Sequence, residues 1–141
     1  MIHFELVSAA GVKFKNEAYE VLIPTKDGTI AVFEDHMPLL SAGAPGVISV
    51  RRQAQDSDDD MDRFAVNGGV LEVDGKNARF LAEEVTASDE FSEREAEAAL
   101  EHAKQLVENA KDQVALQEAK RVLHHTSAQL QVAKVKKRHH R

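Results

Sequence analysis

The chain of 141 residues has no cysteine and no tryptophan. The first absence excludes disulfide frameworks, zinc–thiolate centres and thiol nucleophiles. A basic excess is missing too: 24 Asp and Glu outnumber 18 Lys and Arg, for a formal charge of -6. A nucleic-acid binder needs a basic face, so the balance argues against nucleic acid as a partner. No stretch approaches the roughly 20 consecutive apolar residues of a membrane helix. The opening Met1-Ile-His-Phe-Glu-Leu-Val7 has no basic region followed by an apolar run, and so does not read as a signal peptide. Nor does it have the Arg- and Ser-rich, acid-poor character of an organelle presequence. The expectation is a soluble protein that reaches a membrane through a partner, with no direct insertion.

Glycine and proline are absent from one half only. All seven Gly and all three Pro precede residue 76, and after it Ala, Glu, Lys, Gln and Leu become dense. Because Gly and Pro are the strongest local breakers of regular structure, the shift marks a boundary between a turn-rich half and a helical half. Charge changes with it. Residues 1–88 hold 8 Lys and Arg against 15 Asp and Glu, whereas residues 89–141 hold 10 against 9.

The first half reads as short strands. Ile2, Phe4 and Leu6 alternate with His3 and Glu5, the period-2 pattern of a strand with one buried face. Further candidates are 12–14, 18–23, 29–33, 47–51, 63–66, 69–73 and 78–82. Turn signals lie between them: Lys26-Asp27-Gly28, Pro45-Gly46, Asn67-Gly68-Gly69 (read as a hairpin) and Asp74-Gly75. Strands this short and this closely spaced predict an all-β sandwich or barrel, and a small two-sheet sandwich over residues 1–87 is the expected form.

The second half, 88–141, reads as an antiparallel two-helix hairpin, making the whole an α+β chain. Ser92-Glu93-Arg94-Glu95 has capping-box spacing. Ala96, Ala99, Leu100, Ala103, Val107 and Ala110 form one stripe at three- and four-residue steps. Leu116, Ala119, Val122, Leu123, Thr126, Leu130 and Ala133 form a second. The polar stretch 108–113 is the natural turn, with Asp112 as N-cap of the second helix. No Gly or Pro enforces that turn, so the sequence permits a folded hairpin or a longer, nearly continuous helix.

Candidate chemistry is sparse. The acidic run from Asp56 to Asp62 lacks the sixth-position Gly and twelfth-position Glu of an EF-hand, where Met61 and Asn67 stand, and reads as a solvated hairpin tip. The pairs His124-His125 and His139-His140 point about 100° apart on a helix, which does not chelate a metal, so surface histidines are expected. No nucleophile elbow, phosphate-cradling loop or dinucleotide fingerprint occurs. No catalytic residue, metal or cofactor is expected. The tail containing Lys134, Lys136, Lys137 and Arg138 reads either as a helix C-terminus complementing the macrodipole or as a docking element for an acidic surface.

Taken in order, four segments resemble the epsilon subunit of F-type ATP synthases. They are Gly28-Thr-Ile-Ala-Val-Phe-Glu-Asp-His36-Met-Pro38-Leu-Leu40, Pro45-Gly46-Val-Ile-Ser-Val50, Ala65-Val-Asn-Gly68-Gly69-Val-Leu-Glu-Val73 and Phe80-Leu-Ala82-Glu-Glu-Val. The resemblance implies a central-stalk subunit of a proton-transporting rotary synthase. In that setting the sandwich grips the gamma subunit and sits on the c-ring, and the C-terminal helices inhibit ATP hydrolysis by the alpha/beta headpiece. It implies residence on the cytoplasmic face of the bacterial plasma membrane as a peripheral part of the complex. It makes Thr29, His36, Met37, Pro38 and Leu39 candidates for c-ring contact, and Lys134, Lys136, Lys137 and Arg138 candidates for inhibitory docking.

The chain departs from the family pattern where Glu34-Asp35 replaces Pro-Gly before the histidine and Ala31 replaces a Gly. Thr29 stands where many members carry an acid. The stretch Phe91-Ser92-Glu93-Arg94-Glu95-Ala96 resembles a nucleotide motif in which Ser92 replaces an aspartate and Glu95 an arginine. His102, Glu118 and His125 stand where further arginines are expected. A triphosphate needs clustered cations, so no ATP site is expected. The rival readings are a free-standing sandwich/coiled-coil adaptor and a nucleotide-sensing module.

Overall fold

A computed structural model describes residues 1–87 and 93–139, with side chains as far as Lys134. Eight strands precede two helices: β1 (Ile2–Ser8), β2 (Gly11–Ala18), β3 (Glu20–Thr25), β4 (Gly28–Val32), β5 (His36–Arg51), β6 (Asp62–Gly75), β7 (Asn77–Ala82), β8 (Val85–Ala87), α1 (Glu93–Glu108) and α2 (Gln113–His139).

The strand order is β2-β1-β7-β6-β5-β3-β4, with β8 paired to β6. β1 and β7 run parallel and the other pairs antiparallel. The long strands β5 and β6 pair from His36↔Gly75 to Val50↔Asp62. Their halves have different neighbours. The last half of β6 pairs with β7, its first half with β8, and the last half of β5 with β3. The sheet thereby folds over itself into two layers that share β5 and β6. The alternating inward residues of both layers form one core, including Phe4, Leu6, Ile23, Val32, Ile48, Val66, Leu71 and Phe80.

The expected hairpin at Asn67-Gly68-Gly69 does not exist; these residues are the midpoint of β6. Gly68 supplies a positive φ of 89° and Gly69 serves close packing, and neither reverses the chain. Gly69 has φ 151° and lies opposite Gly43 of β5. A Cβ on Gly43 would stand 2.4 Å from the Phe80 ring, and one on Gly69 would stand 2.2 Å from the Leu81 carbonyl oxygen. Pro45-Gly46 likewise lies inside β5. The β3–β5 register is irregular there, between Leu22 and Thr25, which accommodates a residue with no N–H to donate.

The helical half follows its stripes. Ala96 and Ala103 of α1 are buried, with Ala99, Leu100, Val107 and Ala110 half-buried beside them. The chain turns at 109–112, where Asp112 Oδ1 accepts a 2.7 Å hydrogen bond from Ala115 N, so Asp112 caps α2. The capping box at Ser92 lies outside the described residues. α2 has a second face absent from the sequence reading. Ala128 and Val132 pack on Ala65 of β6 and on Val47 of β5. His125, expected on the surface, is only 7% exposed.

Candidate functional site

The turn Phe33-Glu34-Asp35 delivers the chain from β4 to β5. Asp35 has φ 61°, and its N–H donates to Gly75 O at 3.0 Å. Asp therefore adopts the left-handed conformation at the place where the family pattern has Gly, a region Asp and Asn tolerate better than other side chains. Glu34 holds the Met1 ammonium at 2.9 Å, and that hydrogen bond and charge lower its carboxyl pKa.

His36, Met37, Pro38 and Leu39 open strand β5 and do not form a loop. The His36 ring Nδ1–H donates to Met37 O at 2.8 Å. Met37 is 77% exposed and Leu40 73%, with Pro38 exposed between them, while Leu39 turns inward against the core. Thr29 is exposed near the start of β4, beside the Lys26-Asp27-Gly28 turn. It is separated from the turn before His36 by the length of β4, about 10 Å at ~3.4 Å per residue.

The register exposes a surface that strand periodicity alone did not reveal. Val12↔Val7, Val7↔Leu81, Leu81↔Val70 and Val70↔Ala42 are successive cross-strand partners on β2, β1, β7, β6 and β5. All five side chains lie on the outer face, opposite inward neighbours such as Leu6, Phe80 and Leu71. They form an apolar row about 19 Å long at ~4.8 Å per strand. The next row on the same face is Lys15, Glu5, Arg79, Glu72 and Leu40, in which Arg79 and Glu5 are 3.7 Å apart. Apolar residues at outward positions 7, 70 and 81 were the only sequence sign of this face. A contiguous exposed apolar strip bordered by charge is the signature of a protein-binding surface.

The acidic segment between β5 and β6 is bound into the sandwich. Arg51 contacts Glu20 at 2.9 Å and Asp58 at 2.5 Å, and Arg52 contacts Asp62 at 2.6 Å. The hydrogen bond and charge of Arg51 hold the Asp58 carboxyl below its usual range. Ser57 and Asp60 close a capping box on the short 3-10 turn Asp58–Asp60.

On the hairpin, Lys134 is exposed on α2, and Lys136, Lys137 and Arg138 lie further along the same helix. Phe91 and Ser92 lie outside the described residues. Glu95 is exposed and Ala96 buried on α1, and His102 and Glu118 are exposed. α2 is fastened to the sandwich by Gln129 Nε2, which donates to Thr86 Oγ1 at 3.0 Å, and by Arg121, which reaches Glu83 and the Asn67 carbonyl. Both ring nitrogens of His125 are buried without a hydrogen-bond partner, although Glu84 Oε2 is 3.7 Å from Nε2. Among the described residues no helix is long and apolar enough to cross a membrane.

A sandwich with an apolar outer row, carrying a lightly fastened helical hairpin, defines a docking subunit built for contact with other proteins. Residues 1–88 match the model of the ATP synthase delta/epsilon chain β-sandwich domain. The chain belongs to the ATP synthase delta/epsilon chain family. An ATP synthase epsilon chain from Sulfurihydrogenibium sp. is 34% identical over 109 residues, covering 77% of this chain and 78% of the relative. One from Neisseria meningitidis serogroup B is 32% identical over 130 residues, covering 92% and 91%. Among solved structures, a chain of the Euglena gracilis mitochondrial ATP synthase OSCP/F1/c-ring assembly superposes with TM-score 0.76 at 20% identity. It covers 94% of this chain and 81% of that one, and the likeness is one of fold.

Proposed function

We propose that this chain is the epsilon-type central-stalk subunit of a bacterial proton-transporting ATP synthase, coupling the gamma subunit to the c-ring without catalytic residues of its own. The observation that carries the reading is the apolar row Val12, Val7, Leu81, Val70 and Ala42, which gives the sandwich a face for gamma. The exposed Met37, Pro38 and Leu40, with Thr29 and His36, supply contacts to the c-ring, and Leu39 anchors that strand to the core. Residues 1–87 couple and 88–141 regulate. On release from the sandwich, the helices inhibit hydrolysis, with Lys134, Lys136, Lys137 and Arg138 meeting acidic segments of the alpha/beta headpiece. The subunit sits peripherally on the cytoplasmic face of the plasma membrane. The positions matching the nucleotide motif, Ser92, Glu95, His102, Glu118 and His125, lack its aspartate and arginines, so regulation does not depend on bound ATP.

The test is co-purification with gamma. Val70→Asp and Leu81→Asp place a charge on the row and should weaken recovery of the complex by tenfold or more. Val114→Asp, at an exposed hairpin position, should leave recovery unchanged. Equal recovery from all three would remove the docking face from the proposal. ATP hydrolysis by the reconstituted complex, with and without residues 88–141, tests the inhibitory half: equal rates would contradict it.

A further inference from the structure

The hydrogen bond from His36 to Met37 spans an irregularity in the β5–β6 ladder. Between the pairs His36↔Gly75 and Leu39↔Val73, β5 advances three residues while β6 advances two. The extra residue is a β-bulge, which bends a strand and re-aims the side chains around it. Pro38 falls inside the bulge, where it has no N–H to leave unpaired. The backbone donors leading into the bulge are committed: Asp35 N–H donates to Gly75 O at 3.0 Å, and His36 N–H to Phe33 O at 3.2 Å.

The same bulge holds the His36 ring. Its Nδ1 lies 2.8 Å from Met37 O, and a carbonyl oxygen accepts without donating, so Nδ1 carries the proton. In the neutral ring the other nitrogen, Nε2, is then a bare acceptor. Nε2 has no partner among the described residues, and it is not enclosed. The half-buried ring is thus fixed in direction and in tautomer, with its lone pair open to whatever meets the strand.

We infer that His36 sets the polarity of the c-ring contact: Nε2 accepts a hydrogen bond from an N–H or O–H donor on the ring and rejects a carboxylate or carbonyl at the same place. The inference rests on the reading that this strand meets the c-ring, and adds the chemistry of the group that the ring must present. An acceptor facing Nε2 would set lone pair against lone pair, and both groups would lose water without gaining a bond. Met37 and Leu40, exposed on the same strand, supply apolar area that does not distinguish donors from acceptors. Discrimination at this contact therefore falls to Nε2, through the penalty on the wrong group as much as through the bond to the right one.

The tautomer is read on the parent chain itself. Imidazole nitrogen NMR at mildly alkaline pH, with the His36 signals assigned by their loss in His36→Gln, should show a protonated Nδ1 and a bare Nε2. Docking is measured by titrating the full-length chain, in complex with gamma, onto purified c-ring. His36→Gln and His36→Glu keep an acceptor and should bind within about twofold of the parent, whereas His36→Lys offers donors alone and should bind about tenfold more weakly. Met37→Asp, on the same exposed strand, should also weaken binding. A proton on Nε2, or a series that tolerates Lys and rejects Glu, would overturn the inference. Parent-like binding by His36→Lys beside weak binding by Met37→Asp would overturn it too, and leave the c-ring reading standing. Parent-like binding by Met37→Asp and by every His36 variant would remove that reading, and the donor with it.

Discussion

Gln129 of α2 and Thr86 of β8 share a 3.0 Å hydrogen bond with both side chains buried, a buried polar stitch between the helical hairpin and the sandwich. Removing one partner leaves the other without a donor in a site water does not reach. Gln129→Leu should therefore weaken docking of α2 by about 1–3 kcal/mol. Hydrogen exchange checks this: α2 amides should lose protection while those of β1 and β7 keep theirs. Loss of protection throughout the chain would contradict a local stitch.

Gly43 faces the Phe80 ring at a distance that leaves no space for a methyl group. Gly43→Ala should destabilise the sandwich by about 1–3 kcal/mol through overpacking. Phe80→Leu in the same chain should recover part of that loss, because the smaller side chain vacates the space. Urea denaturation of the two single variants and the double gives the coupling directly, and simple additivity would refute the steric account.

At Asp35 the backbone is left-handed without being glycine. Relief of that conformation outweighs the greater freedom glycine gives the unfolded chain, so Asp35→Gly should stabilise by up to about 1 kcal/mol. A small rise in thermal midpoint is the expected reading, and a fall would show that the aspartate side chain contributes more than its backbone costs.

Acid should loosen the β5–β6 connection. Asp58 is lowered from an ordinary aspartate value of 3.8 by the Arg51 hydrogen bond. A depressed folded-state value means the stabilisation is present above the unfolded value and is lost as pH falls through the folded one. The raised value of Arg51 works in the opposite sense, at strongly alkaline pH. Asp58→Asn should therefore be less stable than the parent near neutrality, with the gap in thermal midpoint closing below pH 4. A gap that persists to low pH would mean that the pair's charge is not its contribution.

Much of the architecture was legible because burial imposes periodicity. The alternation at Ile2, Phe4 and Leu6 gave β1 and its inward face. The steps through Ala96, Ala99, Leu100, Ala103 and Val107 gave the stripe of α1, and Asp112 marked the start of α2. Gly68-Gly69 misled because the residues that make tight turns also permit close approach within a strand, and only Phe80, distant in sequence, decides between the two uses. His125 misled for a related reason: its burial comes from the sandwich and not from its own helix. The apolar row was hidden because its continuity depends on the register of five strands, which no single segment encodes.

β5 and β6 run unbroken through both layers, and this gives the sandwich a mechanical character. A load applied at the His36 end is carried along a ladder of paired backbone to Val47 and Ala65, beneath α2. No soft joint separates the layers, because the covalent chain itself crosses between them twice. The sandwich is therefore built as a strut, with its two longest strands shared by both layers and the hairpin attached at one side.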